Sequence, residues 1–90
     1  MHQMQRYIAE FIGALFLVYV IISTGDVIAI GVAFTIIIAL ISNISGGHIN
    51  PAVTLAMFLA NKIPKMDVLP YIIAHIAGGL TAIELYKLTK

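Results

Sequence analysis

The chain has 90 residues, a formal net charge of +1, 61% hydrophobic and 10% charged residues, and no cysteine. Soluble domains carry about 25% charged residues; this composition would force much apolar surface into water, whereas a bilayer accepts it. The length allows one domain at most, the charge leaves no basic patch for nucleic acid, and disulfides and thiolate metal sites are excluded.

The first apolar segment, about 7–23, follows Arg6 and carries one charge, Glu10. It looks like a signal peptide only in outline, because it lacks a small-x-small cleavage site and two further apolar segments follow. Thr24-Gly25-Asp26 alone separates it from the second segment, about 27–42, so the two are expected to form an antiparallel hairpin. A third covers about 67–86, with His75 the sole ionisable group of its apolar stretch 68–83. Each is near the lower limit of about 17–20 residues for crossing a core of about 30 Å. Small residues recur four apart at Ala9/Gly13, Gly31/Thr35/Ala39 and Ala74/Gly78/Ala82, a spacing that lets helix backbones approach closely in lipid.

Between the second and third segments, 43–50 is turn-like and holds Gly46 and Gly47. Asn50 followed by Pro51 then reads as an N-cap and first helical residue, and the apolar helix runs over 51–61. At 1.5 Å per residue it measures about 16 Å, half a bilayer core. A helix of that length either lies on the membrane surface or climbs back from mid-bilayer after a re-entrant loop. Residues 55–60 lack the polar face of an interfacial helix, and irregular backbone at depth needs burial or a water-filled cavity.

The block Ser45-Gly46-Gly47-His48-Ile49-Asn50-Pro51-Ala52-Val53-Thr54 resembles the first Asn-Pro-Ala loop of the aquaporin and glycerol-facilitator (major intrinsic protein) family. Ala9-Glu10-Phe11-Ile12-Gly13, Gly31-Val32-Ala33-Phe34 and Tyr71-Ile72-Ile73-Ala74-His75-Ile76-Ala77-Gly78-Gly79 resemble its first three helices, with His75 where the family usually has glutamine. The resemblance covers essentially the whole chain. It implies an all-α membrane protein of three transmembrane helices plus one re-entrant half-helix, multi-pass and in the cell membrane. Family members hold two inverted repeats, and only the first is present here. The second Asn-Pro-Ala and its filter arginine are missing, and Val53 stands at the corresponding place. One repeat cannot enclose a pore, so the resemblance implies a partner.

On that resemblance Asn50 caps the half-helix and donates to water in mid-pore, while Pro51 and Ala52 pack against the partner's equivalents. Gly46, Gly47, His48 and Ile49 present carbonyls to the pore, and Glu10 supports the loop by accepting from its amides. The filter maps to Ile30 of one chain with Ile38, Gly47 and Val53 of the other. His48 has no second metal ligand at suitable spacing and is expected to bond within the loop. His75 is expected to be a buried, hydrogen-bonded histidine, with a pH gate as the alternative. No nucleophile–base pair or metal cluster appears, so neither catalysis nor a cofactor is expected.

The expected function is a passive channel for water or small neutral solutes such as glycerol, formed by two copies in opposite orientations. Grouping of such pores into tetramers, as family members do, is a further implication. A non-conducting half-channel or assembly subunit is the alternative. Lys62, Lys65, Lys87 and Lys90 are expected to flank the spans at headgroup level.

Overall fold

A computed structural model describes residues 2–89 as four helices: α1 (His2–Thr24), α2 (Val27–Ser45), α3 (Pro51–Leu59) and α4 (Lys65–Thr89). α1, α2 and α4, of 23, 19 and 25 residues, are long and apolar enough to cross a membrane. They exceed the apolar windows of the sequence because the polar flanks stay helical until a specific feature stops them. Asp26 starts α2, its carboxylate accepting from the Ala29 amide at 2.8 Å. Gly46 ends α2 in the left-handed region at φ 95, its amide bonded to the Ser42 carbonyl at 3.0 Å.

The irregular segment is therefore 46–50, shorter than the 43–50 expected, because 43–45 complete the last turn of α2. Asn50 is extended (φ −153, ψ 126) and caps α3, its side-chain oxygen accepting from the Ala52 amide at 2.8 Å. α3 ends at Leu59, two residues before the expected 61. Asn61 turns left-handed at φ 61, and the Lys62 and Asn61 amides return to the carbonyls of Met57 (2.8 Å) and Phe58 (3.0 Å). That pair of bonds is a Schellman closure. Nine residues give about 14 Å, less than half a bilayer core.

α1 lies between α2 and α4. α1 and α4 run parallel, Arg6 meeting Asp67 at one end and Tyr19 meeting Thr89 at the other. Their backbones touch at Gly78, where a Cβ would lie 2.5 Å from the Phe11 carbonyl oxygen and 3.0 Å from the Leu15 nitrogen. Ala74 and Ala82, one turn to either side, are buried in the same seam. On its other flank α1 receives α2, and Ala9, Ile37, Ile41 and Ile49 form the small core. α3 packs against α4 and against neither α1 nor α2. Large apolar side chains elsewhere stay exposed, Val27, Leu40 and Leu80 among them, as lipid-facing helices require.

The path of the loop is read against α1. Ser45, at the end of α2, reaches Glu10. Ile49 lies over Gly13, and Asn50 lines a cleft with Ala14 and Val18, deeper along α1. α3 then returns, so that Met57, Lys62 and Pro64 share a cleft with Arg6 and Asp67, back at the end where α2 finished. The segment re-enters.

Candidate functional site

The loop is built around one carboxylate. Glu10 is fully buried, and the four partners of its oxygens come from the end of α2, the loop and α4. Oε1 accepts from the Ile49 amide at 2.7 Å and faces His75 Nε2 at 2.7 Å. Oε2 accepts from the His48 amide at 3.1 Å and the Ser45 hydroxyl at 2.5 Å. A carboxylate inside an apolar bundle is costly unless its lone pairs are filled, and charge-assisted bonds of this kind offset that cost.

The same bonds hold a backbone that would not persist alone. Ile49 has φ 43, a left-handed conformation that disfavours a β-branched residue by about 1–3 kcal/mol. Its amide is fixed by Glu10, and its side chain lies so close over Gly13 that a Cβ there would meet Ile49 Cγ2 at 2.7 Å. Gly46 and Gly47, at φ 95 and 66, supply the other left-handed steps, which glycine takes freely.

Other side chains complete the cradle, and sequence reasoning missed most of them. Tyr71 is buried and donates to the Ser45 carbonyl at 2.6 Å, with its ring centroid 5.0 Å from that of His48. His48 is buried, Nδ1 lying 2.8 Å from Thr54 Oγ1, so the loop is pinned to α3 as well. At the loop's end of the bundle, Arg6 Nη2 reaches both oxygens of buried Asp67 at 2.8 and 2.7 Å, and the Tyr7 hydroxyl donates to Oδ1 at 2.8 Å. An acid one turn inside one apolar helix and a base one turn inside another was the signal available for that pair.

Asn50 is exposed at the tip of α3, and its side-chain nitrogen has no partner among the described residues. Pro51 is half-buried beside it and Ala52 exposed. None of the carbonyls of Gly46, Gly47, His48 and Ile49 accepts a hydrogen bond among the described residues. Ile38 lies beside Gly47, where a Cβ would meet Ile38 Cγ2 at 3.5 Å, and Val53 sits in the first turn of α3. Ile30 is separated from Ile38 by about 12 Å along α2, so one chain does not bring these two together.

Two clefts border these residues. One, of about 480 Å³, is lined by Gly31, Phe34, Thr35, Ile38 and Ala39 on the uncovered side of α2. The other, of about 300 Å³, lies between α1, α4 and the tip of α3. Among the described residues no group of histidines and carboxylates could hold a metal ion. Lys62, Lys65 and Lys87 are exposed; Lys90 lies outside the described residues.

The model of the major intrinsic protein family matches residues 1–90. The chain is 46% identical over 88 residues to glycerol uptake facilitator protein-like 6 of Lactiplantibacillus plantarum, covering 88% of this chain and 41% of that protein. It is 38% identical over 109 residues to aquaporin AqpM of Methanothermobacter thermautotrophicus, covering 87% of this chain and 44% of that protein. With Aquaporin-8 of Rattus norvegicus it shares 40% identity over 83 residues, covering 89% and 32% respectively. The chain thus spans less than half the length of these curated relatives. With three spans and a re-entrant half-helix, it is an integral, multi-pass membrane protein and belongs to the major intrinsic protein family.

Proposed function

We propose that the chain is one half of a passive channel for water and small neutral solutes such as glycerol, closed by a second copy in the inverted orientation. The observation that carries this reading is the division of labour in the loop. Glu10 consumes the His48 and Ile49 amides on one side, while the carbonyls of 46–49 and the Asn50 side-chain nitrogen have no partner among the described residues. A row of acceptors ending in a donor is what a file of water molecules needs.

The tip of α3 adds the positive end of a helix, equivalent to roughly half a charge, which disfavours cations at mid-membrane. Asn50 donates to the passing oxygen there. Pro51 and Ala52 meet the partner's Pro51 and Ala52 on a two-fold axis in the membrane plane. Ile30 of one chain with Ile38, Gly47 and Val53 of the other line the narrow part. That ring holds no cation, so discrimination between water and glycerol is weak. Glu10 is the support of the loop rather than a proton carrier, since both of its oxygens accept from groups that hold the loop in place: the His48 and Ile49 amides and the Ser45 hydroxyl.

The inverted repeat of the family supports an inverted partner, because three spans put the ends of the described chain on opposite faces and a copy in the same orientation does not supply the missing half. The flanking cations give little orientation, with Arg6, Lys62 and Lys65 on one face against Lys87 on the other, and with Lys90, outside the described residues, following it in the sequence. Such pairs group further into tetramers of pores. The relatives named as a glycerol uptake facilitator and as aquaporins support the solute class.

The test is osmotic shrinkage of liposomes carrying the purified chain, with water and glycerol as permeants. Both should cross faster than in empty liposomes, and Asn50→Ala should cut both fluxes at least several-fold. The lost cap costs only about 1 kcal/mol of stability, too little to unfold the bundle. Permeability at the empty-liposome level, or an Asn50→Ala variant with full flux, refutes the reading.

A further inference from the structure

The two ends of the bundle use their cations differently. At the end away from the loop, the Lys87 ammonium is paired with Glu84 of the same helix at 3.3 Å. At the loop's end, a cleft of about 420 Å³ opens between the start of α1, the loop and the link from α3 to α4. Its charged lining is Arg6, Lys62 and Asp67, two cations against one carboxylate.

That carboxylate is fully engaged inside the protein. Asp67 is buried, accepts from Arg6 Nη2 on both oxygens, and accepts from the Tyr7 hydroxyl on Oδ1. Arg6 gives it one nitrogen alone. Nη1 and Nε have no partner among the described residues, and the Arg6 side chain is 25% exposed. Lys62 is exposed, and its ammonium has no partner among the described residues. The backbone fixes its place, because the Lys62 amide closes α3 on the Met57 carbonyl at 2.8 Å. Met57, Ile63 and Pro64 add an apolar wall to the same cleft.

Position decides what such a cleft meets. α1 and α4 begin at this end and α2 finishes here, so a bilayer crossed by these helices puts the cleft at headgroup level. Basic pockets between transmembrane helices at that depth suit anionic headgroups. We propose that the cleft binds the headgroup of an anionic phospholipid such as phosphatidylglycerol, its phosphate held between the free nitrogens of Arg6 and the Lys62 ammonium. The guanidinium meets phosphate oxygens as a planar fork, the ammonium as a point charge. One monoanion balances the excess cation of the lining, whereas phosphatidylcholine brings a choline cation that the lining repels. The lipid also ties down α3, which packs on α4 and touches neither α1 nor α2. A phosphate shared by Arg6 of α1 and Lys62 at the end of α3 joins the two. The site rests on the membrane-spanning fold and is independent of the channel reading.

The experiment is native mass spectrometry of the full chain released from nanodiscs that hold phosphatidylglycerol and phosphatidylcholine in equal amounts. The original chain should retain phosphatidylglycerol in clear preference. Lys62→Gln should lower that preference at least several-fold, and Lys62→Arg should keep it. Lys65→Gln removes the same charge from a neighbouring exposed residue that does not line the cleft. It should leave the preference within about twofold, since salt screens a charge that makes no contact. Equal retention of the two lipids overturns the site, and so does an unchanged preference in Lys62→Gln or a lost one in Lys62→Arg. Equal losses in Lys62→Gln and Lys65→Gln overturn it too, by revealing a diffuse basic surface. A second arm adds inorganic phosphate at millimolar concentration before release. Phosphatidylglycerol should stay bound; its displacement would make the ligand a free anion and refute the lipid assignment. The readout is retained lipid and not flux, so this site and the channel stand or fall separately.

Discussion

Two stripes of small residues with the same spacing meet opposite fates in this molecule. Ala74, Gly78 and Ala82 on α4 are all buried against α1, and a Cβ at Gly78 would strike the α1 backbone. Gly31, Thr35 and Ala39 on α2 are all exposed; a Cβ at Gly31 would meet nothing within 4 Å, and among the described residues the Thr35 hydroxyl bonds only the Gly31 carbonyl, at 2.9 Å. Small residues four apart therefore permit a close approach without producing one. In lipid the apolar surroundings add no drive to bring helices together, and polar bonds must select the partner. The α4 stripe has two such bonds: Arg6 to Asp67 before it, and Glu10 to His75 within it. Among the described residues the α2 stripe has no bond to another helix within it, and the Ser45 bond to Glu10 lies beyond its end.

The strongest way to break the comparison is to remove the polar anchor and keep the stripe. Glu10→Ala strips an acceptor from two backbone amides, the Ser45 hydroxyl and His75, and leaves Ile49 in a strained conformation without its main restraint. Breaking a buried charged network of this kind costs about 3–5 kcal/mol. The thermal midpoint in detergent should fall steeply, and the loop amides should lose their protection from hydrogen exchange. A variant that melts with the original chain would mean that the α4 stripe holds by packing alone.

A smaller effect comes from the stripe itself. Gly78→Ala places a methyl 2.5 Å from the Phe11 carbonyl oxygen and 3.1 Å from Ala14 Cβ, so α1 and α4 must separate. Overpacking at such a contact costs about 1–3 kcal/mol. The same change at Gly31 meets open space and should be neutral or stabilising by up to about 1 kcal/mol, because alanine loses less entropy than glycine in a helix. Unfolding of the two variants side by side checks the contrast, and equal losses at both positions would sink it.

The fold was legible in the sequence because its signals are local and additive. The apolar runs mark α1, α2 and α4, and Asn50-Pro51 marks the start of α3. The helix ends were less so: nothing in residues 42–45 or 59–61 announces that α2 persists to Gly46 or that Asn61 closes α3, since both depend on left-handed turns. For the site, the motif pointed to Glu10, whose oxygens accept from the His48 and Ile49 amides. Tyr71, Thr54 and the Arg6–Asp67 pair were missed. Their partners lie 26, 6 and 61 residues away in the chain, and no periodicity encodes a contact of that kind.

The α2 stripe yields the prediction with the smallest effect on the single chain. Its cleft of about 480 Å³ borders Ile38, which packs beside Gly47 of the loop. An inverted partner that closes the pore at Asn50 would have to cover this side of α2, because α3 leaves it untouched. Gly31→Leu should therefore leave the melting of the monomer within about 0.5 kcal/mol, as lipid-facing surface changes usually do. It should nonetheless block the close approach of a second helix, as a bulky residue does in any small-residue interface. Cross-linking in liposomes, with size determination in mild detergent, should then show fewer dimers and a matching loss of water flux. Full dimerisation and full flux in Gly31→Leu would show that this stripe faces lipid for good, and the partner would have to approach by another face.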